Sequence, residues 1–200
     1  GLSMGEPPAQ KGYTPSVFST LPKLLERAGL SKSGGSITGL YTVLVEGDDV
    51  NDPIADSARA ILDGHIVLSR RLAEINHFPA VDVLQSVSRV MTHVVSQDHL
   101  NVSRKIREWL SIYEQSRDMI EIGAYVRGTN PRLDQAILVH EKIKEFLRQD
   151  VPQSSNFQET IAQMKAIFAY AQANSAEAQR QVQEQAQFEA QQAAQRIPFS

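Results

Sequence analysis

Apolar positions along the chain fall into three rhythms. Val17, Leu21, Leu24, Leu25 and Ala28 recur at helical spacing, which predicts a helix that opens at Pro15, tolerates Pro22 and stops at Gly29. Ile37 to Val45 alternates instead, and both faces are apolar: Ile37, Tyr41, Val43 and Val45 on one, Leu40 and Leu44 on the other. A strand greasy on both faces belongs in a parallel sheet covered by helices. Only His65–Ser69 and Ala80–Leu84 read as further strands, too few for such a sheet. Part of the fold is therefore expected to lie outside these residues. Ile54, Ala58, Ile61 and Leu62 predict a second helix, and Leu68, Leu72 and Ile75 a third beyond Gly64.

From Pro79 onward the helical rhythm takes over. Val102, Ile106, Trp109, Leu110 and Tyr113 form one stripe, and Leu133, Ala136, Ile137, His140, Ile143 and Leu147 a second, joined through Gly123–Pro131. Phe157, Ile161, Met164, Ile167 and Phe168 form a third. Twelve of the last fifty residues are Gln and eleven are Ala. Both are good helix formers, but large apolar residues become too sparse there for a sustained heptad seam. The expected organisation is an α/β part over 1–95, a helical domain over 96–169 and a Gln/Ala-rich helical tail over 170–200.

Composition narrows the chemistry. A 42% hydrophobic content supports a buried core, and a net charge of −3 gives no basic surface for nucleic acid. Without cysteine there is no disulfide, thiolate metal site or thiol nucleophile, and a cytosolic chain is the simplest reading. No apolar run approaches the roughly 20 residues of a membrane helix.

The obvious motifs fail individually. Gly29-Leu30-Ser31-Lys32-Ser33-Gly34-Gly35-Ser36 has the glycine spacing of a phosphate loop, but Gly35 stands where the lysine is needed, and the segment precedes a strand. The acidic run Glu46 to Asp52 lacks the ligand spacing of an EF-hand, and Asp52-Pro53 reads as a helix N-cap. No two histidines stand three or four apart, and no G-x-S-x-G occurs. His140 reads as a core-edge residue. Phe78, taken alone, reads as core, although Phe78-Pro79 is an extended pair able to present a ring. Arg89, taken alone, reads as a salt-bridge arginine.

Taken together, several long motifs resemble one family. Gly5-Glu6-Pro7-Pro8-Ala9-Gln10-Lys11-Gly12-Tyr13, Val45-Glu46-Gly47-Asp48-Asp49-Val50-Asn51-Asp52-Pro53, Ile61-Leu62-Asp63-Gly64-His65-Ile66-Val67-Leu68-Ser69-Arg70 and Phe78-Pro79-Ala80-Val81-Asp82 are similar to the C-terminal half of the flagellar protein-export ATPase. That family is related to the rotary ATP synthase β subunit and the type III injectisome ATPase. The similarity runs from Gly1 to about Phe168, and Ile122 to Asp134 resembles the flagellar branch more than the injectisome one.

The resemblance implies the C-terminal part of a RecA-like parallel-sheet domain followed by helices. It implies a parent that forms a homohexamer, hydrolyses ATP with Mg²⁺ and sits in the cytoplasm, peripheral to an inner-membrane export gate. Its implied partners are neighbouring subunits, a coiled-coil stalk, a stator-like regulator and chaperone–substrate complexes, with no nucleic acid. Arg89 matches the arginine finger that reaches a neighbour's site. Phe78 matches the aromatic that stacks on adenine, and Phe146 a second adenine-pocket aromatic. Gly5, Glu6, Lys11 and Tyr13 match a pore-facing loop; Asp49, Asn51 and Asp52 match a stalk-contacting one. No metal ligand is implied among these residues. The family's P-loop, catalytic glutamate and Mg²⁺-supporting aspartate fall upstream of Gly1, so the chain is expected to be a fragment, inactive alone and without tight nucleotide binding. The alternative is a free-standing, non-catalytic module that binds a stalk or export partner. Gly5-Glu6-Pro7-Pro8 and Gly123-Ala124-Tyr125 argue against the P-loop-lacking subunit of archaeal or vacuolar enzymes.

Overall fold

The computed structural model describes residues 2–9, 11–49 and 51–175. Two compact units emerge: one formed by the described residues up to Arg71 together with Val81–Met91, the other by Leu72–Ala80 and the described residues from Thr92.

In the first unit, α1 (Pro15–Leu25) opens with proline at its first turn, where a missing N–H costs nothing. It ends before the predicted Gly29, which instead begins β1 (Gly29–Leu30), paired antiparallel with β2 (Ser36–Ile37). α2 (Pro53–Ile61) packs against α1. Asp52 caps it as the sequence predicts: its Oδ1 accepts from the Ile54 and Ala55 amides at 2.9 and 3.0 Å. β3 (Gly64–Leu68) and β4 (Val81–Ser88) form an antiparallel pair flanking the short α3 (Arg70–Glu74). Register shifts between His65 and Val67, where the Val67 amide turns to the Ser86 hydroxyl at 3.0 Å. α4 (Met91–Val94) follows.

Three expectations are corrected here. The long apolar segment Ile37–Val45 is not a strand beyond Ile37; Leu40 and Leu44 are 92% and 90% exposed. Alternation supplies the side chains of a strand, but a strand exists only where a neighbour takes its amides, and no described residue does so. The second correction concerns pairing: both ladders among the described residues are antiparallel, not parallel. The predicted third helix is also shorter, because Leu68 belongs to β3 and Ile75 lies beyond Glu74.

The second unit holds most of the buried apolar side chains. α5 (Gln97–Glu121) and α6 (Pro131–Leu147) form a hairpin, and helical residues 157–175, here α7, complete the bundle. Val102, Ile106, Trp109, Ala136, Val139, Ile143, Met164, Ile167 and Ala171 make one buried cluster. Trp109, 1% exposed, donates its indole N–H to Gln135 at 3.1 Å, and Gln135 donates to Ser175 at 2.8 Å. The largest core ring is thus satisfied by a polar chain that ties all three helices. The expected Gln/Ala-rich tail lies, beyond residue 175, outside the described residues.

His140 sits at the edge of this core, stacked on Tyr113 with ring centroids 3.4 Å apart. Its Nδ1 is buried without a hydrogen-bond partner among the described residues. Burial lowers its pKa, with Lys144 adding to the shift and Glu141 and Glu114 opposing it. His77, 5% exposed, is lowered by burial and then by Arg148 and Lys144. Because the unfolded chain binds these protons more readily, the stability they contribute is complete above the ordinary histidine pKa of 6.5. It is lost as pH falls from there through the lowered folded values. Thermal midpoints of the helical unit should therefore drop between pH 7 and 5, with a shallower drop in His140→Phe. Parallel profiles for the two proteins would show that His140 is not the group responsible.

Candidate functional site

Arg89 stands immediately after β4, and the fold fixes it from three directions. Its amide donates to the Asp63 carbonyl at 2.8 Å, closing the turn between α2 and β3. Its guanidinium donates to the Ala60 and Arg59 carbonyls at 3.2 and 3.0 Å. Those oxygens belong to the last turn of α2, where carbonyls lack intrahelical partners and carry the negative end of the helix dipole. Among the described residues, no carboxylate pairs with Arg89.

Gly64 makes this approach possible. A Cβ there would lie 2.6 Å from the Val87 carbonyl and 3.2 Å from the Ser88 Cα. Only a residue without a side chain lets the end of β4 lie this close to the turn. Sequence reasoning quoted Gly64 in a motif without giving it this role. The signal available was a glycine at the mouth of a strand, which often marks close backbone approach.

Arg89 lines an open polar cleft with Asn51, Asp56, Arg59, His65 and Gln85. The Arg59 guanidinium lies 3.9 Å from Asp56, one turn back on α2. His65 Nε2 is 3.0 Å from the Gln85 carbonyl. Asn51, predicted as a partner contact, thus shares a cleft with Arg89. Asp49 sits beside it, accepting the Asn51 amide through Oδ1 and pairing with Lys11 through Oδ2. Asp52 is placed differently from its predicted role as a contact: it is 7% exposed, and its carboxylate is turned inward to cap α2.

The loop carrying Gly5, Glu6, Lys11 and Tyr13 is folded back on α1. Glu6 accepts the Ser16 amide at 2.9 Å, and hydrogen bonding from Ser16 lowers its carboxyl pKa. Tyr13 meets Phe18 edge-on, centroids 6.3 Å apart. Gly5 and Gly12 take φ of +77° and +82°, conformations that suit glycine. The Lys11–Asp49 ion pair ties this loop to the turn before α2.

Phe78 belongs to the second unit. Its ring is 49% exposed, against the core placement its type alone suggests, and its carbonyl accepts the Gln149 amide at 2.8 Å. His77 beside it is buried, with its amide donating to the Leu72 carbonyl at 2.9 Å. The Phe78 backbone is thereby held next to the end of α6, and its side chain is half-exposed. Phe146 lies on α6, partly buried against the core, and lines a shallow groove with Lys142, Gln163, Ile167 and Tyr170. Lys142 Nζ stands 4.4 Å from the Tyr170 ring centre. Phe78 is not among the residues lining that groove. Among the described residues, no group of three His, Asp or Glu side chains is arranged to hold a metal, and no helix is long and apolar enough to cross a membrane.

Arg89 and Phe78 thus belong to different units, each with its own geometry. Residues 1–88 match the nucleotide-binding domain of the ATP synthase alpha/beta family. Residues 95–166 match the C-terminal domain of the type III secretion ATPase EscN. The chain is thus similar to the ATP synthase alpha/beta family over its first part and to the type III secretion ATPases over its second.

It is 53% identical over 173 residues to the flagellum-specific ATP synthase of Pseudomonas aeruginosa, covering 86% of this chain and 38% of that protein. To the type 3 secretion system ATPase of Sinorhizobium fredii it is 52% identical over 167 residues, covering 84% and 37%. These identities do not separate the two branches, although the Ile122–Asp134 segment resembles the flagellar one. Assembled EscN of enteropathogenic E. coli superimposes with a TM-score of 0.79 at 48% identity, covering 83% of this chain and 40% of that one. EscN in complex with its central stalk EscO gives 0.73 at 44% identity, covering 83% and 39%. The chain thus spans less than two-fifths of the length of these two relatives.

Gly64→Ala should force β4 away from the turn and destabilise the first unit by about 1–3 kcal/mol, the usual cost of overpacking. Urea unfolding measures this. An unchanged midpoint would mean that the close approach is not a constraint.

Proposed function

We propose that this chain is the C-terminal portion of an ATP-hydrolysing, homohexameric motor that energises flagellar or type III protein export. In this reading Arg89 acts in trans, reaching the nucleotide of a neighbouring subunit. The observation that carries it is the state of the Arg89 guanidinium: held in place by two carbonyls, at the rim of an open cleft, with its charge neutralised by no carboxylate among the described residues. An arginine in a purely structural ion pair has spent that charge. One held by carbonyls keeps it for the oxygens of a transferring phosphoryl group.

Phe78 stacks on adenine within its own subunit, and Phe146 contributes a second aromatic to that region. ATP and Mg²⁺ belong to the whole enzyme, and the Mg²⁺ supplies charge neutralisation at the phosphates when bound. In the whole enzyme, the Ile37–Val45 segment is a strand of a RecA-like parallel sheet, covered there by elements outside these residues. Residues 1–95 complete that domain and 96–169 form the helical C-terminal domain. The Gly5, Glu6, Lys11 and Tyr13 loop faces the central passage. Asp49 and Asn51 meet a coiled-coil stalk, with Asp52 holding their turn in shape; that EscN is found in complex with a central stalk supports a partner of this kind. The motor works at the cytoplasmic side of the inner-membrane export gate, with a stator-like regulator and chaperone–substrate complexes as further partners.

In the full-length ATPase, Arg89→Ala should lower kcat by about 10³-fold or more while KM for ATP changes little. Phe78→Ala should instead raise KM, by about tenfold for a lost stacking contact, with kcat largely retained. Normal turnover in Arg89→Ala would remove this residue from the mechanism.

A further inference from the structure

We infer that α2 is a strut that positions Arg89, and that Asp52, at its far end, is a positioning residue for that guanidinium. This rests on the reading of Arg89 as the residue that reaches a neighbouring nucleotide.

Both ends of α2 are held by identifiable bonds. At the N-terminus, Asp52 Oδ1 takes the Ile54 and Ala55 amides, and Asp52 itself is buried. At the C-terminus, the Arg59 and Ala60 carbonyls receive the Arg89 guanidinium, while the Leu62 amide closes the helix on Ala58. Ala58 is among the few buried apolar residues of the first unit, so the helix is anchored at its middle as well. Nine residues at about 1.5 Å each give a rod of roughly 13 Å, short enough to move as one body.

The bonds to Arg89 are made by backbone oxygens, not side chains. The guanidinium can therefore be no better ordered than the last turn of α2. Fraying α2 releases the carbonyls together and leaves Arg89 attached to the fold only through its amide bond to Asp63. The cap is thus coupled to the arginine through the helix between them.

The N-terminal end is also where the chain offers its exposed acidic turn. The Asp49 carbonyl accepts the Asp52 amide at 3.1 Å, and Asp49 carries the Lys11 pair. Whatever pulls on Asp49 or Asn51 bears on the cap, and through α2 on Arg89. Coupling of this kind requires a physical element whose state both sites bias; a short helix capped at one end and gripped by an arginine at the other is such an element.

The test compares basal ATP turnover of the full-length enzyme, with no stalk partner added, for Asp52→Ala, Asp52→Asn, Arg89→Ala and the Asp52→Ala/Arg89→Ala double variant. Asn caps helices as well as Asp does but carries no charge. Asp52→Ala should lower kcat about fivefold, the size of a lost cap, with KM for ATP within about twofold. Asp52→Asn should stay within about twofold of the parent, and the double variant should be no slower than Arg89→Ala alone. Equal losses in Asp52→Asn and Asp52→Ala would overturn the inference, because charge and not capping would then matter. Multiplying losses in the double variant would overturn it as well, because the two residues would then act independently. Should Asp52→Ala fail to fold, Ala60→Gly, which loosens the last turn without touching the cap, carries the same expectation of lowered kcat and unchanged KM. If Arg89→Ala itself turns over normally, the proposed function of Arg89 falls and the strut with it. A slow Arg89→Ala beside a normal Asp52→Ala overturns the strut alone.

Discussion

A guanidinium is planar, permanently charged and rich in donors, so its place in a fold is decided by where acceptors stand in a matching fork. For Arg89 those acceptors are the final carbonyls of α2. Much else in the first unit follows from that grip. β4 must end beside the turn that leaves α2, which requires a glycine where the two backbones meet. β3 must pair with β4 in the register that sets Gly64 opposite Ser88. The helix must keep its last turn intact, which makes its far-end cap matter. Replacing the carbonyl pair by a carboxylate would hold an arginine as firmly, but it would also cancel the charge.

The two units differ in how they are held. The helical unit has a continuous apolar core in which Val139 and Ile143 are fully buried. In the first unit, Leu25 and Ala58 are the buried apolar residues among those described. Its order comes instead from directed polar contacts: the Asp52 cap, the Glu6 bond to α1 and the Arg89 fork. Polar contacts of this kind contribute about 1 kcal/mol each and are easily exchanged with water or a partner. They suit an element that must respond to a neighbour, whereas a close-packed core resists change.

The helical half was the more legible in the amino-acid sequence because its information is local. Stripes at Val102–Tyr113 and Leu133–Leu147 define helices regardless of what lies beside them, and in the first unit the cap at Asp52 needs only a few residues. Ile37–Val45 read wrongly for the opposite reason: its pattern describes a surface to be covered, and the cover is not part of the pattern. Arg89 illustrates a third case. Its type and position signalled a possible role only through resemblance, since the carbonyls that hold it carry no side-chain signature. Asp52 reads both as a cap and as a contact, and the structure shows the cap, with the carboxylate largely buried. Leu72–Ala80 falls in the expected α/β part by position, yet it packs with the helical unit because its backbone and buried histidine face the end of α6.

That last segment has a consequence for the order in which the protein is made. Phe78 leaves the ribosome long before Gln149, whose amide fixes the Phe78 carbonyl. Until then that carbonyl lacks this partner, and the backbone beside the ring is held only once the chain has passed the end of α6. A nascent chain that ends short of residue 149 therefore carries Phe78 without the bond that joins it to the end of α6.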